Sequence, residues 1–146
     1  MEHEKYHLAL KTAFASEYSF YLKAQNFHWN VEGPNFPQYH ELFGNIYEEV
    51  GGVIDAFAEN IRKVNTYVPA SLQRFSMLSQ IDDETDIVPA EQMIAELHHD
   101  SEKMANLFKI TYKMAEANGD YGLANFLAER QDAHKKHSWM LRATSK

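Results

Sequence analysis

Residues Asn26–Glu59 read NFHWNVEGPNFPQYHELFGNIYEEVGGVIDAFAE. This stretch holds two histidines, His28 and His40, and two carboxylates one helical turn apart, Asp55 and Glu59. All four are metal-ligand residue types. Asp55 and Glu59 are i,i+4 on a helical pattern, so both carboxylates point the same way. His40 lies near the start of the same helical pattern, fifteen residues before Asp55. At helical rise that is roughly 22 Å. Ligands of one ion lie within roughly 2–2.5 Å of it. His40 and Asp55 of one copy therefore cannot share a metal. His28 sits just before the Gly33-Pro34 turn, back beside His40. If the four residues form one site, a second copy supplies half of it. An antiparallel copy centred near Glu48 and Glu49 places His40 opposite Asp55 and Glu59, and the site then occurs twice about a two-fold axis.

The helix stripe fits that geometry. His40, Gly44, Glu48, Gly51, Gly52, Asp55 and Glu59 fall within an arc of roughly 120° at helical spacing. Glycine in a helix interior costs about 1 kcal/mol relative to alanine. Three on one face point to close approach by another backbone. The alternative reading of the same stripe is three locally weak positions among solvated polar residues.

The whole chain sets bounds on these readings. Its 146 residues, 45% of them hydrophobic, suffice for one domain, 1–146, with a real core. No apolar run has membrane-spanning length, and MEHEKYHLAL shows no cleavable leader. With no cysteine there is no disulfide or thiolate site, which fits a cytoplasmic protein. The net charge of −7 argues against general nucleic-acid binding and suits attraction of cations.

In chain order the pattern is helical almost throughout. A first helix is predicted from about Glu4 to Val31, with Leu10, Phe14, Phe20, Ala24, Phe27 and Val31 on its apolar arc. Asn35 is positioned to cap a second helix, with Pro37 in its first turn, running unbroken to about Asn65. Thr66 to Pro89 is a crossover. Its SLQRFSMLSQI segment can make one short helix capped by Ser71, and its acidic residues 82–86 are read as solvated. A third helix covers about 89–117. Asn118-Gly119-Asp120 is a stop-and-cap signal, and a fourth helix covers about 121–143. The fold class is all-α: a four-helix bundle with a short extra helix in the crossover between helices two and three.

Other titratable residues compete with the first four. Glu17, His98, Arg130, His134 and His137 project onto apolar arcs. They form either a metal site inside the bundle or a satisfied polar layer such as Glu17 with Arg130, and the layer is the favoured account. Glu-x-x-His occurs at Glu4/His7 and Glu96/His99, but di-iron bundles need that motif on two helices at matching depth. Trp29, next to His28, either packs at the helix end or acts as an oxidisable neighbour of a redox metal. Trp139 is assigned to the core.

NFHWNVEGPNF, followed by YHELF, IYEEV and IDAFAE, resembles the Dps family, the ferritin-like miniferritins, and the resemblance covers nearly the whole chain. His-Trp-Asn-Val followed by His, Asp and Glu at offsets of twelve, twenty-seven and thirty-one is its most specific feature. The resemblance implies a dodecameric hollow shell built from two-fold dimers. It implies ferroxidase centres at the two-fold interfaces, with His28 and His40 from one chain and Asp55 and Glu59 from its partner. It implies oxidation of Fe(II), typically by hydrogen peroxide and otherwise by dioxygen, with storage of ferric mineral and protection against oxidative damage. Glu59 and His28 would be the core iron ligands, and Asp55 and His40 would complete the site.

The chain departs from the family pattern. The Asp usual four residues after the second His is Gly44 here. One strong iron position per centre is therefore expected, the second iron binding weakly, using Glu48 one turn on, or being absent, with oxidation slower or altered. A non-catalytic or weakly catalytic Dps-like shell, or a nucleoid-associated protein, is the alternative. The family's acidic entry pores map to Asp120, Asn125 and Glu129, the asparagine making this pore less negative. DNA binding is not expected, because neither end of the chain clusters several Lys or Arg.

Overall fold

The computed structural model describes residues 2–146 and contains six helices in the order α1 (Glu2–Asn30), α2 (Phe36–Gly51), α3 (Ile54–Lys63), α4 (Leu72–Leu78), α5 (Ala90–Ala117) and α6 (Tyr121–Thr144). The apolar arcs meet as their spacing requires. Leu10, Phe20 and Phe27 of α1, Phe43 and Ile46 of α2, Phe57 and Ile61 of α3, Leu97 and Phe108 of α5 and Leu127 and Leu141 of α6 are all buried. Two antiparallel hairpins, α1 with α2 and α5 with α6, stack into one bundle.

The second long helix is not continuous. It breaks at Gly52 and Val53, giving α2 and α3. Val53 N–H bonds the Val50 carbonyl one residue short of helical register, at 3.1 Å, and Phe57 N–H resumes the ladder on Val53. Two adjacent glycines weaken the helix there. The Tyr21 ring also presses on the axis, since a Cβ on Gly51 would lie 2.8 Å from Tyr21 Cε1. The stripe glycines therefore have a different role from the expected one. Gly44 and Gly51 make room for His28 and Tyr21 of α1 in the same chain, not for another backbone.

The turns follow local chemistry. Ser71 caps α4 by accepting from Arg74 N–H at 3.2 Å. Asn35 occupies the cap position of α2 without a side-chain bond. Gly119, at φ +77°, makes the left-handed step between α5 and α6. The crossover is tied down rather than loose. Phe75 of α4 stacks on Tyr18 at 4.7 Å. Buried Lys23 donates to the Asp82 carbonyl at 2.8 Å and pairs with Asp100 at 2.9 Å and Glu96 at 3.2 Å. The acidic loop is thus held to α1 through a backbone carbonyl while Asp82, Asp83 and Asp86 stay exposed. Trp139 is not core. It is 55% exposed, on the face of α6 opposite Leu141. No helix among the described residues is long and apolar enough to cross a membrane.

Candidate metal centre

The last turn of α1 and the first half of α2 face each other across the 31–35 turn, and this brings His28 and His40 together. Their rings stack at 3.8 Å between centroids, with 15° between planes. The pair is cross-linked by hydrogen bonds. His28 Nδ1 donates to the His40 carbonyl at 2.6 Å, and His40 Nδ1 donates to the His28 carbonyl at 2.6 Å. A carbonyl only accepts, so each Nδ1 carries a proton, and Nε2 is the ring nitrogen left for a metal. Free Nε2 with the other nitrogen anchored is the usual preparation of a histidine for a metal.

Phe36, one turn before His40, stacks on its ring at 5.0 Å, and Tyr47 lies 5.1 Å from His28. Sequence reasoning passed over both. The signal for Phe36 was its i,i+4 spacing to His40. Trp29 is 62% exposed and points away from the bundle core.

Asp55 and Glu59 stand one turn apart on α3, both exposed. Among the described residues no group of three or more histidines, cysteines or carboxylates converges to hold a metal. The two histidines thus gather at one end of the α2–α3 rod and the two carboxylates lie on α3. Glu48 is exposed on α2. Its neighbour Glu49 is not free, because its carboxylate is taken from inside the same chain.

That second polar cluster is a buried layer in which the carboxylates and the guanidinium are paired, while His134 Nδ1 is buried without a partner. Arg130 donates to Glu17 from Nε at 3.1 Å and from Nη2 at 2.9 Å, and to Glu49 from Nη1 at 2.5 Å and Nη2 at 3.1 Å. His134 Nε2 lies 2.7 Å from Glu17, and His137 Nε2 lies 2.8 Å from Glu49. Burial opposes charge on both carboxylates, but the paired donors outweigh it. Glu17 is held below the usual carboxylate range and Glu49 falls to about 2. Burial pushes His134 down, keeping it neutral. The satisfied-layer reading of Glu17 and Arg130 holds, with Glu49 added. His98 does not join the layer. It is partly exposed, 3.6 Å from Glu102 on its own helix.

Asp120 stands at the start of α6, where its carboxylate accepts the Tyr6 hydroxyl at 2.7 Å. Asn125 and Glu129 are exposed and share the next face of α6, Asn125 Nδ2 donating to Glu129 at 3.4 Å.

Comparisons with known proteins agree with this architecture. Residues 8–146 match the ferritin-like domain family. The chain is 32% identical over 123 residues to a DNA protection during starvation protein of Brevibacillus brevis, covering 84% of this chain and 83% of that one. Among solved structures it superposes on a Dps protein from Bacillus brevis with a TM-score of 0.93 at 29% identity, covering 99% of this chain and 97% of that one. It also superposes on a Dps protein from Vibrio cholerae O1, described as a member of a broad superfamily of ferritin-like diiron-carboxylate proteins. That match has a TM-score of 0.92 at 25% identity and covers 99% and 91%.

Proposed function

The chain belongs to the ferritin-like family and, within it, to the Dps or miniferritin branch, and from that premise we propose that it oxidises ferrous iron at centres shared between two copies. The observation that supports this reading is the crossed His28–His40 pair, whose Nδ1 atoms are both tied to main-chain carbonyls, leaving Nε2 for a metal, with no third ligand converging on it among the described residues of its own chain. An antiparallel partner brings Asp55 and Glu59 to that pair. Imidazole suits Fe(II), and carboxylate oxygen stabilises the ferric product. Iron is the substrate. Two ferrous ions each lose one electron, hydrogen peroxide takes both, and its O–O bond breaks to give two hydroxides. Both Fenton reagents are consumed together. The ferric product is stored as mineral inside a closed shell of twelve copies. Trp29, exposed beside the centre, is placed to be oxidised in preference to other targets.

The two metal positions are unequal. The His28 and His40 rings stack nearly parallel, 3.8 Å between centroids with 15° between planes, so they offer their nitrogens side by side rather than converging on one point. Each histidine therefore serves its own ion. His28 with Glu59 makes the tight position. His40 with Asp55 makes the weak one, because Gly44 offers no carboxylate and Glu48 stands a turn away. Anaerobic calorimetric titration of metal-free protein is expected to show one tight ferrous ion per centre, and peroxide should then produce the ferric absorbance. Two equally tight ions would overturn the inequality. No tight ion would overturn the centre.

Iron entry is assigned to the acidic start of α6. Asp120→Asn removes the charge at the mouth and is expected to slow iron uptake into the shell while leaving ferrous affinity at the centre unchanged. Unchanged uptake rates in a stopped-flow assay would remove Asp120 from the pore. DNA is not part of this reading, since the net charge is −7 and several clustered cations are needed to neutralise phosphates.

A further inference from the structure

Position 44 shows why the two histidines can cross-link at all. In a helix each Cβ leans toward the N-terminus, so the side chain of residue i+4 covers the carbonyl of residue i. The His40 carbonyl would ordinarily lie under the side chain at position 44. Here that residue is glycine, it is buried, and the His28 ring fills the space. A Cβ on Gly44 would lie 2.9 Å from both His28 Cε1 and Nδ1, closer than real side chains approach. The atom that would be struck is the Nδ1 that holds the ring to the His40 carbonyl at 2.6 Å. The ring has little freedom to yield. It is stacked on His40 at 3.8 Å and set against Tyr47 at 5.1 Å.

We propose that Gly44 is a positioning residue of the metal centre: by leaving the His40 carbonyl bare it docks the His28 ring there, fixes its Nδ1–H form and holds Nε2 ready for a divalent metal. The proposal rests on the two-histidine centre described above. It also gives Gly44 a second role. The residue is more than a missing ligand, because the position is occupied by the imidazole of another ligand.

These two roles predict opposite effects of one substitution. If position 44 merely lacked a ligand, Gly44→Asp would strengthen metal binding. If it seats His28, Gly44→Asp and Gly44→Ala both displace the ring and weaken binding by about 10- to 100-fold, the usual effect of losing the group that orients a metal-bound histidine. The test is calorimetric titration of metal-free protein with Zn(II), together with nitrogen-15 NMR of the histidine rings before metal is added. Wild type is expected to show the resonance of a His28 Nδ1–H held in a hydrogen bond. Both variants are expected to lose it and to bind Zn(II) more weakly.

Retention of the resonance and of wild-type affinity in Gly44→Ala overturns the proposal, as does tighter binding by Gly44→Asp. Failure of wild type itself to bind Zn(II) would instead strike at the centre, while the ring resonance would still report on the seating. Should Gly44→Ala not fold, the same substitution in a His28→Ala background decides the matter. Recovery of the fold shows that the glycine is there for the His28 ring, and no recovery overturns the proposal.

Discussion

Replacing His28 and Glu59 together with alanine is expected to reduce peroxide-driven iron oxidation to the rate of ferrous iron in buffer. The reasoning starts from the half-sites. His28 and His40 are held by each other's chain carbonyls, whereas Asp55 and Glu59 project from a different helix into solvent. Each tight metal position needs one group from each half. Removing His28 takes the nitrogen from one chain, and removing Glu59 takes the oxygen from its partner. Because the centre repeats about the two-fold axis, the double variant strips both copies. His28 is only half-buried and Glu59 is exposed, so the fold should persist. The measurement is near-ultraviolet absorbance after peroxide is added to anaerobically loaded protein, wild type against variant, with circular dichroism as the control for folding. Loss of fast oxidation places the reaction at the two-fold centre. Equal rates would mean that oxidation occurs elsewhere, and that His28 and Glu59 have no part in it.

Mixed variants sharpen the same test. If His28→Ala and Glu59→Ala are made in separate batches and the shells are dissociated and reassembled together in equal amounts, half of the two-fold interfaces pair unlike chains. Each of these has one of its two centres intact, so one centre in four is restored, only when the halves come from different chains. Recovery of part of the activity would show the sharing directly.

The fold could be read from the sequence because its periodicities are long. Four apolar arcs, a Gly-Pro turn, an Asn-Gly-Asp stop and a capped SLQRFSM segment each have a local cause, and each appears where that cause puts it. The break at Gly52 and Val53 was written in the Gly-Gly pair. It was hidden because Ile54, Phe57 and Ile61 continue the apolar pattern of Phe43, Ile46 and Val50 with little change of phase. Trp139 was misplaced for the opposite reason: its size favours burial, but its face of α6 points outward. At the site, the approach of His28 to His40 followed from the turn between them. Their crossed hydrogen bonds did not. These depend on a carbonyl left open at position 44, and glycine in a sequence does not say which side chain will fill its space. Glu49 was missed because it stands beside Glu48 on an exposed-looking helix edge. Only packing shows that one of the two turns inward to Arg130.

That inward turn underlies the second large effect. Arg130→Ala is expected to destabilise the protein by roughly 3–5 kcal/mol, the range for removing one partner of a buried ion pair. Glu17 is fully buried and would keep only His134, while Glu49 would keep only His137. Urea denaturation of the variant at neutral pH measures the loss. A loss comparable to that of a surface ion pair, about 1 kcal/mol or less, would mean that the layer relaxes without cost.

The same layer sets the response to acid. His134 is driven below its ordinary value of 6.5, chiefly by burial, so the unfolded chain takes up a proton there before the folded one does. Stability from the neutral ring is therefore complete above the unfolded value and declines as pH falls through 6.5. Glu17 and Glu49 are also held down in the folded state, Glu49 to about 2. Their contribution is complete above 4.5 and is lost as pH falls toward the folded values. Both effects have the same sign. Wild-type stability should drop between pH 7.5 and 5.5 because of His134, and drop again below pH 4.5 because of the carboxylates. His134→Gln reduces the first decline to the part due to His7, which burial also holds below its ordinary value, and leaves the second. If the first decline survives that substitution undiminished, the proton enters elsewhere and the layer is not the acid-sensitive element of the bundle.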